Sequence, residues 1–276
     1  MSKGFVSIII VSSGNKAYLE NLINSIKGQS CQDFEIITVS DKSYGKALNH
    51  GIDLSKGEFL LCLNDDAALD ERFVERALKC FDIDSRIGSV SGKALRFDKE
   101  TIDSAGLFLT LWRAARERGY GQKDNGQFQR EGYVFGVNGA IGFYRKAMLD
   151  DIKQETGYFD ERFDYFYEDL DIAWRAQNKG WKAYYEPNAV IYHLRGGTAR
   201  KDKGINKRFA RLYLNDELHK ELIKNRYLAI AKNESVLGFI LRLPFILIYD
   251  FMVWVYILLF KFGVVKKLLK YLFVGK

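Results

Sequence analysis

The sequence predicts an α/β fold. A doubly wound, mainly parallel sheet with flanking helices should fill most of the chain, followed by amphipathic and hydrophobic C-terminal helices. Three observations predict this. First, β-rich apolar runs alternate with stretches of helical apolar spacing. Second, each early apolar run ends in polar residues: Ser12-Ser13-Gly14-Asn15, Ser40-Asp41-Lys42-Ser43 and Asn64-Asp65-Asp66. Third, the composition turns basic and apolar near the end. Doubly wound sheets take ligands beyond the carboxyl ends of their strands, so the three polar segments mark the expected site.

The elements follow in order. Residues 5–11 read as the first strand. Leu19, Leu22, Ile23 and Ile26 then recur on one helical face, and Gly28 lies at its end. Residues 34–39 form the second strand. A short helix over about 45–54 leads to the third strand, Phe59 to Leu63, whose unbroken apolar run implies burial on both faces. A helix with Asp70 as N-cap carries Phe73, Ala77, Leu78 and Phe81 on one face, and a strand over 87–90 comes next. Residues 93–132 read as a loop-rich cover over the sheet. The glycines of 135–144 suggest close backbone approach to a ligand or a neighbouring strand. Glu168 and Asp169 open an amphipathic helix that Gly180 ends, and residues 181–185 and 189–192 read as two short strands.

Composition limits the function classes. The chain has 276 residues, 47% hydrophobic and 28% charged, which suits one large domain with an appended piece. Cys31, Cys62 and Cys80 lack metal-ligand spacing and read as reduced thiols. The first strand follows Met1-Ser-Lys-Gly directly, so no secretory signal is expected. No Gly-x-Gly-x-x-Gly or Gly-Lys-Ser follows a strand, which disfavours dinucleotide and P-loop sites. Of the net charge of +7, the last 45 residues carry +5, from seven basic against two acidic residues. Those bases are mixed with aliphatic and aromatic runs, which favours an anionic membrane surface over nucleic acid.

The carboxylates carry the chemistry. Asp65 and Asp66 end a buried strand, where Mg²⁺ or Mn²⁺ would relieve their repulsion; a plain loop start is the alternative. Glu168, Asp169 and Asp171 suit the start of a helix through its dipole, or one of them serves as a general base. His193, at a strand end, is a structural residue or a metal ligand. His50 and His219 lie in helical stretches and read as surface residues.

These motifs in this order resemble the family-2 glycosyltransferases of the GT-A fold, and their bacterial rhamnosyltransferase-like branch most closely. The resemblance rests on Val6–Val11, Ser40-Asp41, Gly57 to Asp66, Phe159-Asp160-Glu161-Arg162-Phe163, Tyr167 to Asp171 with Arg175, and His193, and covers about residues 5 to 200. It implies a catalytic domain over 1–203, with a nucleotide-sugar half to about 92 and an acceptor half beyond it. A helical, membrane-associating region should follow over 204–276. Asp66 is implied as ligand of a divalent metal (Mn²⁺ or Mg²⁺), with His193 as a second contact to metal or diphosphate. Ser12, Asp41, Asn64 and Asp65 are implied on the donor, Asp169 as catalytic base, and Glu168, Asp171 and Arg175 in support. Two departures stand out: the first loop lacks the family's usual aromatic, and Val39-Ser40-Asp41-Lys42 replaces its usual Val-Asp-Asn/Asp.

The implied reaction is inverting transfer from a dTDP-, UDP- or GDP-linked sugar, rhamnose by the branch resemblance, to a saccharide or lipid-linked saccharide in surface-polysaccharide synthesis. The tail reads as a charged helix over 205–232, then an apolar run over 236–260 broken by Arg242, Pro244 and Asp250, then a basic amphipathic helix. Interfacial helices on the cytoplasmic face of the cell membrane are the favoured reading, with a peripheral enzyme. A true span over Leu243 to Phe260, packing on the domain and a homodimer interface are the alternatives. The rival functions are a catalytically silent sugar-nucleotide-binding or scaffold protein of this fold, and a nucleotidyltransferase, which should carry a basic glycine-rich first loop.

Overall fold

A computed structural model gives the fold and describes residues 4–41, 43–194 and 214–274. Lys42, the glycines after His193 and the start of the helix expected at Ile205 lie outside them. Contacts divide the described chain into two units. The first runs to Phe108, then takes Glu117–Asp164 and residues from Glu168 to 194. The second gathers Leu109–Arg116, Tyr165–Tyr167 and the residues from 214 onward.

In the first unit, β1 (Val6–Val11) pairs in parallel with β2 (Phe34–Val39) and β3 (Phe59–Asn64). Helices α1 (Lys16–Lys27) and α2 (Tyr44–Leu54) make the crossovers, and Asn15 caps α1 by accepting from the Ala17 and Tyr18 amides. After β3 the chain adds β4 (Ala67–Leu69) and α3 (Phe73–Cys80). The α3 N-cap is Arg72, not Asp70; Asp70 instead accepts from the Arg72 amide just ahead of the helix.

The next strand, β5, runs over Ile87–Arg96, far past residue 90, and is buried throughout. The segment expected to be loop-rich holds β6 (Ile102–Ser104), a separate two-stranded sheet of β7 (Leu107–Leu109) and β8 (Ala115–Glu117), and β9 (Gly132–Val134). Runs of three residues are too short to show a period in the sequence. Beyond them come β10 (Ile141–Arg145), α4 (Lys146–Ile152) and α5 (Glu168–Asn178). The two strands expected on either side of Pro187 form one strand, β11 (Lys182–His193), with a register shift between Glu186 and Val190.

The sheet order is β2-β1-β3-β10-β5-β11-β4, with β6 on β5 and β9 on β11. Parallel pairing holds for β2-β1-β3 and for β5-β11, and β10 runs antiparallel between β3 and β5. The residues before β10 therefore lie at the edge where β1 and β3 end. One apolar cluster fills each face of the sheet. Ile8, Leu61, Phe73 and Phe143 belong to one, and Ile9, Leu60, Tyr144 and Phe159 to the other.

The second unit contains α6 (Asp216–Asn233), α7 (Val236–Phe260) and α8 (Phe262–Val274). Ile223, Ile257 and Val264 form its small core. His219 is buried beside Tyr256 rather than at a surface, because α6 packs on α8. Glu217 joins the ends of α6 and α8 by binding Lys220 and Lys267. Arg226 pairs with Asp250 in the middle of α7, and Arg113 pairs with Glu234.

Candidate active site

Asp65 and Asp66 are both nearly inaccessible, yet they serve different neighbours. Asp65 Oδ2 accepts from the Ser13 amide at 2.5 Å, the Ser13 hydroxyl at 2.8 Å and the Ser12 hydroxyl at 3.2 Å. Three donors on one oxygen make Asp65 the anchor of the first loop. Asp66 faces the other way. β4 begins at the next residue and pairs antiparallel with β11 so that His193 lies opposite Ala67. The Leu194 amide then donates to the Asp66 carbonyl at 2.9 Å.

This register brings His193 Nε2 to 3.2 Å from Asp66 Oδ1. The two atoms are close but off the hydrogen-bond axis, and Nε2 is buried without a hydrogen-bond partner among the described residues. On the other side, His193 Nδ1 lies 2.9 Å from Asp103 Oδ2. Burial alone would lower the His193 pKa; the contacts with Asp103 and Asp66 outweigh it and raise the pKa to about 9. Two carboxylates and an imidazole are donors that a divalent cation accepts, once the imidazole gives up its extra proton. Among the described residues, no group of three or more His, Cys, Asp or Glu side chains is gathered as a closed metal cage.

Asp103 was not legible as a site residue. It is fully buried and sits at a register shift: Ala94 faces Ser104, Leu95 faces Ile102, and Asp103 is the extra residue between. Bulges of this kind re-aim a side chain. A lone aspartate in a polar stretch gives no sequence signal for that.

The other end of the site is built on α5. Asp169 Oδ2 accepts from the Gly139 amide at 3.2 Å, and Oδ1 from the Leu170 amide at 2.7 Å. Gly139 lies in the turn before β10, where the neighbouring Ala140 carbonyl accepts from the Asn64 amide at 3.1 Å. The ends of β3 and α5 are thus tied through one turn. Glu168 behaves differently from Asp169. Burial, then the adjacent Asp169 charge, raise its pKa to about 8, and its Oε2 has no hydrogen-bond partner among the described residues.

The profile of glycosyltransferase-like family 2 matches residues 2–215. The chain belongs to that family. This family-2 chain is 25% identical over 195 residues to the poly-β-1,6-N-acetyl-D-glucosamine synthase of Staphylococcus aureus, a match over 68% of the chain and 42% of the relative. The chain thus spans less than half the length of that curated relative. Among solved structures it resembles the mannosyltransferase PcManGT of Pyrobaculum calidifontis, in complex with GDP-Man and Mn²⁺. The TM-score is 0.57 at 14% identity, covering 87% of this chain and 68% of that one. It also resembles S. aureus TarS 1-349 in complex with UDP-GlcNAc, with a TM-score of 0.55 at 16% identity, covering 84% and 68%. The likeness shows the GT-A fold.

Within the family-2 chain, the remaining expected residues fall into three places. Asp41 is exposed just past the end of β2, where it accepts from the Ser43 amide at 2.9 Å. Asn64 ends β3 with its Oδ1 buried and unpartnered among the described residues. Asp171 and Arg175 form a buried pair at 2.9 Å, and the guanidinium also donates to the Ile152 and Tyr158 carbonyls. Those contacts lock the segment between α4 and α5, which makes the pair a support for the helix.

Proposed function

We propose that this chain is an inverting glycosyltransferase that moves a sugar from a nucleotide diphosphate to a saccharide or lipid-linked saccharide acceptor. The observation that carries the reading is the continuous line of contacts along one sheet edge. It runs from the Asp103–His193–Asp66 group through Asn64 and the turn before β10 to Asp169. This line supports a diphosphate-side end and a base end that share one sheet edge.

In this reading Asp66 and His193 would hold a divalent cation, Mn²⁺ or Mg²⁺. Such a cation, when bound, neutralises charge on the leaving diphosphate. Ser12, Asp41 and Asn64 face the donor, and Asp65 fixes the loop that carries Ser12. Asp169 takes the proton of an acceptor hydroxyl. The oxygen attacks the anomeric carbon from the side opposite the nucleotide, the bond to the diphosphate breaks, and the configuration inverts. The raised pKa of Glu168 beside it fits a pair that shares one negative charge, with Asp169 in the role of base.

The tail supports a membrane-bound acceptor. Helix α7 has a mean hydropathy of 2.2 over its most apolar stretch, of which 11% is buried. Its one acidic residue, Asp250, is paired with Arg226. We read α7 and the basic α8 as lying on an anionic membrane face, peripheral and cytoplasmic. The full chain should sediment with phosphatidylglycerol-containing vesicles at low salt and stay in solution with neutral ones or with DNA. Equal binding to both vesicle types would remove the charge component.

The deciding experiment is a donor panel. It holds UDP-GlcNAc and GDP-mannose, the sugar nucleotides in the complexes of the two neighbours, and dTDP-rhamnose, which the branch resemblance implies. Each is measured by calorimetry and by nucleotide release, with and without Mn²⁺. Asp169→Asn should keep donor binding and lose transfer by roughly 10²- to 10⁴-fold, the range for a general base. Asp66→Ala should lose the Mn²⁺-dependent part of donor binding. Wild-type turnover in Asp169→Asn sinks the mechanism.

A further inference from the structure

The turn before β10 contains a residue whose lack of a side chain is explained by the carboxylates beside it. A Cβ placed on Gly139 would lie 3.0 Å from the Asp169 Cβ and 3.1 Å from Glu168 Oε1. The Gly139 backbone is outside the left-handed region, unlike that of Gly132 or Gly157. Space, not conformation, therefore selects glycine at this position. Both polar groups of Gly139 are also engaged. Its amide donates to Asp169 Oδ2 at 3.2 Å, and its carbonyl accepts from the Tyr44 hydroxyl at 2.8 Å.

Tyr44 is the first residue of α2. The turn is held from other directions too. The Asn138 side chain accepts from the Ala140 amide at 2.9 Å and donates to Glu117. The Ala140 carbonyl accepts from Asn64. The Gly139–Ala140 peptide, directly after the one whose amide meets Asp169, is thus fixed by Tyr44 of α2 and by Asn138, and the next peptide by β3.

We propose that Tyr44 and Gly139 are positioning residues that hold the Asp169 carboxylate in place for proton transfer. The proposal rests on the reading of Asp169 as the base. A residue held by a backbone amide loses little geometry between turnovers, whereas a carboxylate at a helix start is otherwise free to rotate toward water. The hydroxyl of Tyr44 acts one step back. It fixes the Gly139–Ala140 peptide, which limits how far the adjoining Asn138–Gly139 peptide, the one that carries the amide, can turn. Neither residue need touch substrate.

The titratable groups around Asp169 are Glu168 of α5, Tyr44 of α2, Tyr144 of β10 and Cys62 of β3. Burial holds both phenols well above their usual value and pushes the Cys62 thiol up to about 12. Of these four, Glu168, raised to about 8, is the one that changes charge between acid and mildly alkaline pH.

The test uses the full-length chain in detergent micelles, labelled with ¹⁵N-glycine, with the Gly139 amide assigned by its loss in Gly139→Ala. The Gly139 amide proton should shift with pH as the carboxylate pair titrates, and should stop doing so in Asp169→Asn. Turnover is measured alongside with the sugar nucleotide and Mn²⁺. Tyr44→Phe, which removes only the hydroxyl, should lower kcat roughly fivefold, the equivalent of one net hydrogen bond, with KM for the donor unchanged. Gly139→Ala should lower kcat by roughly tenfold or more, again with KM unchanged. A Gly139 amide that ignores pH overturns the brace directly. A lowered Tm with wild-type kcat in Tyr44→Phe also overturns it, since that is the signature of packing alone. Full turnover in Asp169→Asn, with the amide titration intact in the parent chain, overturns the proposal through its premise instead.

Discussion

The two units of the molecule use the same residue types in opposite ways. In the α/β unit, Ile8, Leu61 and Phe143 are fully buried, and most charges lie outside or in the site. In the helical unit, Phe251 and Phe260 are each 71% exposed, while Arg226 and the Arg113–Glu234 pair are shielded. Water is the solvent that explains the first arrangement, through the apolar area it expels. The membrane face proposed above would account for the second, since paired charges inside and hydrocarbon outside is what an apolar phase selects. On that proposal one chain serves two solvents.

Breaking a shielded pair should show the contrast most strongly. Arg226→Met leaves Asp250 without its guanidinium and should cost about 3 to 5 kcal/mol in detergent, by urea or thermal unfolding. The double change Arg226→Met with Asp250→Leu should recover most of that. A cost below about 1 kcal/mol for the single change would mean that water already reaches the pair, and the contrast would fail.

The α/β unit has its own shielded charges, among them the Asp103–His193 pair of the candidate site. Asp103→Asn keeps shape and removes the carboxylate behind His193. It should weaken Mn²⁺ binding roughly 10- to 100-fold by calorimetry. Unchanged affinity would reduce Asp103 to packing.

Glu168 tests the same unit by pH. Its folded pKa of about 8 lies above its ordinary value of 4.5. Between those values the folded state binds the extra proton, so stability falls as pH rises through that window. Glu168→Gln removes the slope. Near pH 4.5 variant and parent should unfold alike, and at pH 8 the variant should be the more stable. Parallel curves would show that Glu168 ionises freely.

The smallest effect belongs to the exposed clamp of the helical unit. Lys220 and Lys267 hold Glu217 down to about 2. A lowered carboxyl stabilises above its unfolded value and loses that stabilisation as pH falls through the folded one. Glu217 is half exposed, so Glu217→Gln should cost only about 0.5 kcal/mol and nothing at high salt.

What was legible in the sequence follows from period and order. The strands β1, β2 and β3 each stand alone as apolar runs and end in polar residues, so they could be placed from the chain. Asp66, Asp169 and His193 could be named because each sits at the end or start of such an element. Asp103, Tyr44 and Gly139 could not, for three different reasons. Asp103 owes its direction to a bulge, which is set by pairing with a partner strand. Tyr44 acts through a carbonyl 95 positions away, and Gly139 through a space that only the folded neighbours define. The resemblance separated Asp66 from Asp65, but that Asp65 turns to the first loop was not legible, since two identical letters carry no direction.

The outward face of α7 also determines what a measured mass means. Val236, Leu259 and Phe260 are each at least two-thirds exposed, and hydrocarbon on that scale self-associates in plain buffer. Sedimentation without lipid would weigh chains held together by their tails. In a nanodisc the same surface is covered by acyl chains, so a dimer that persists there joins through other residues, and one that falls apart was the tail's substitute for a bilayer.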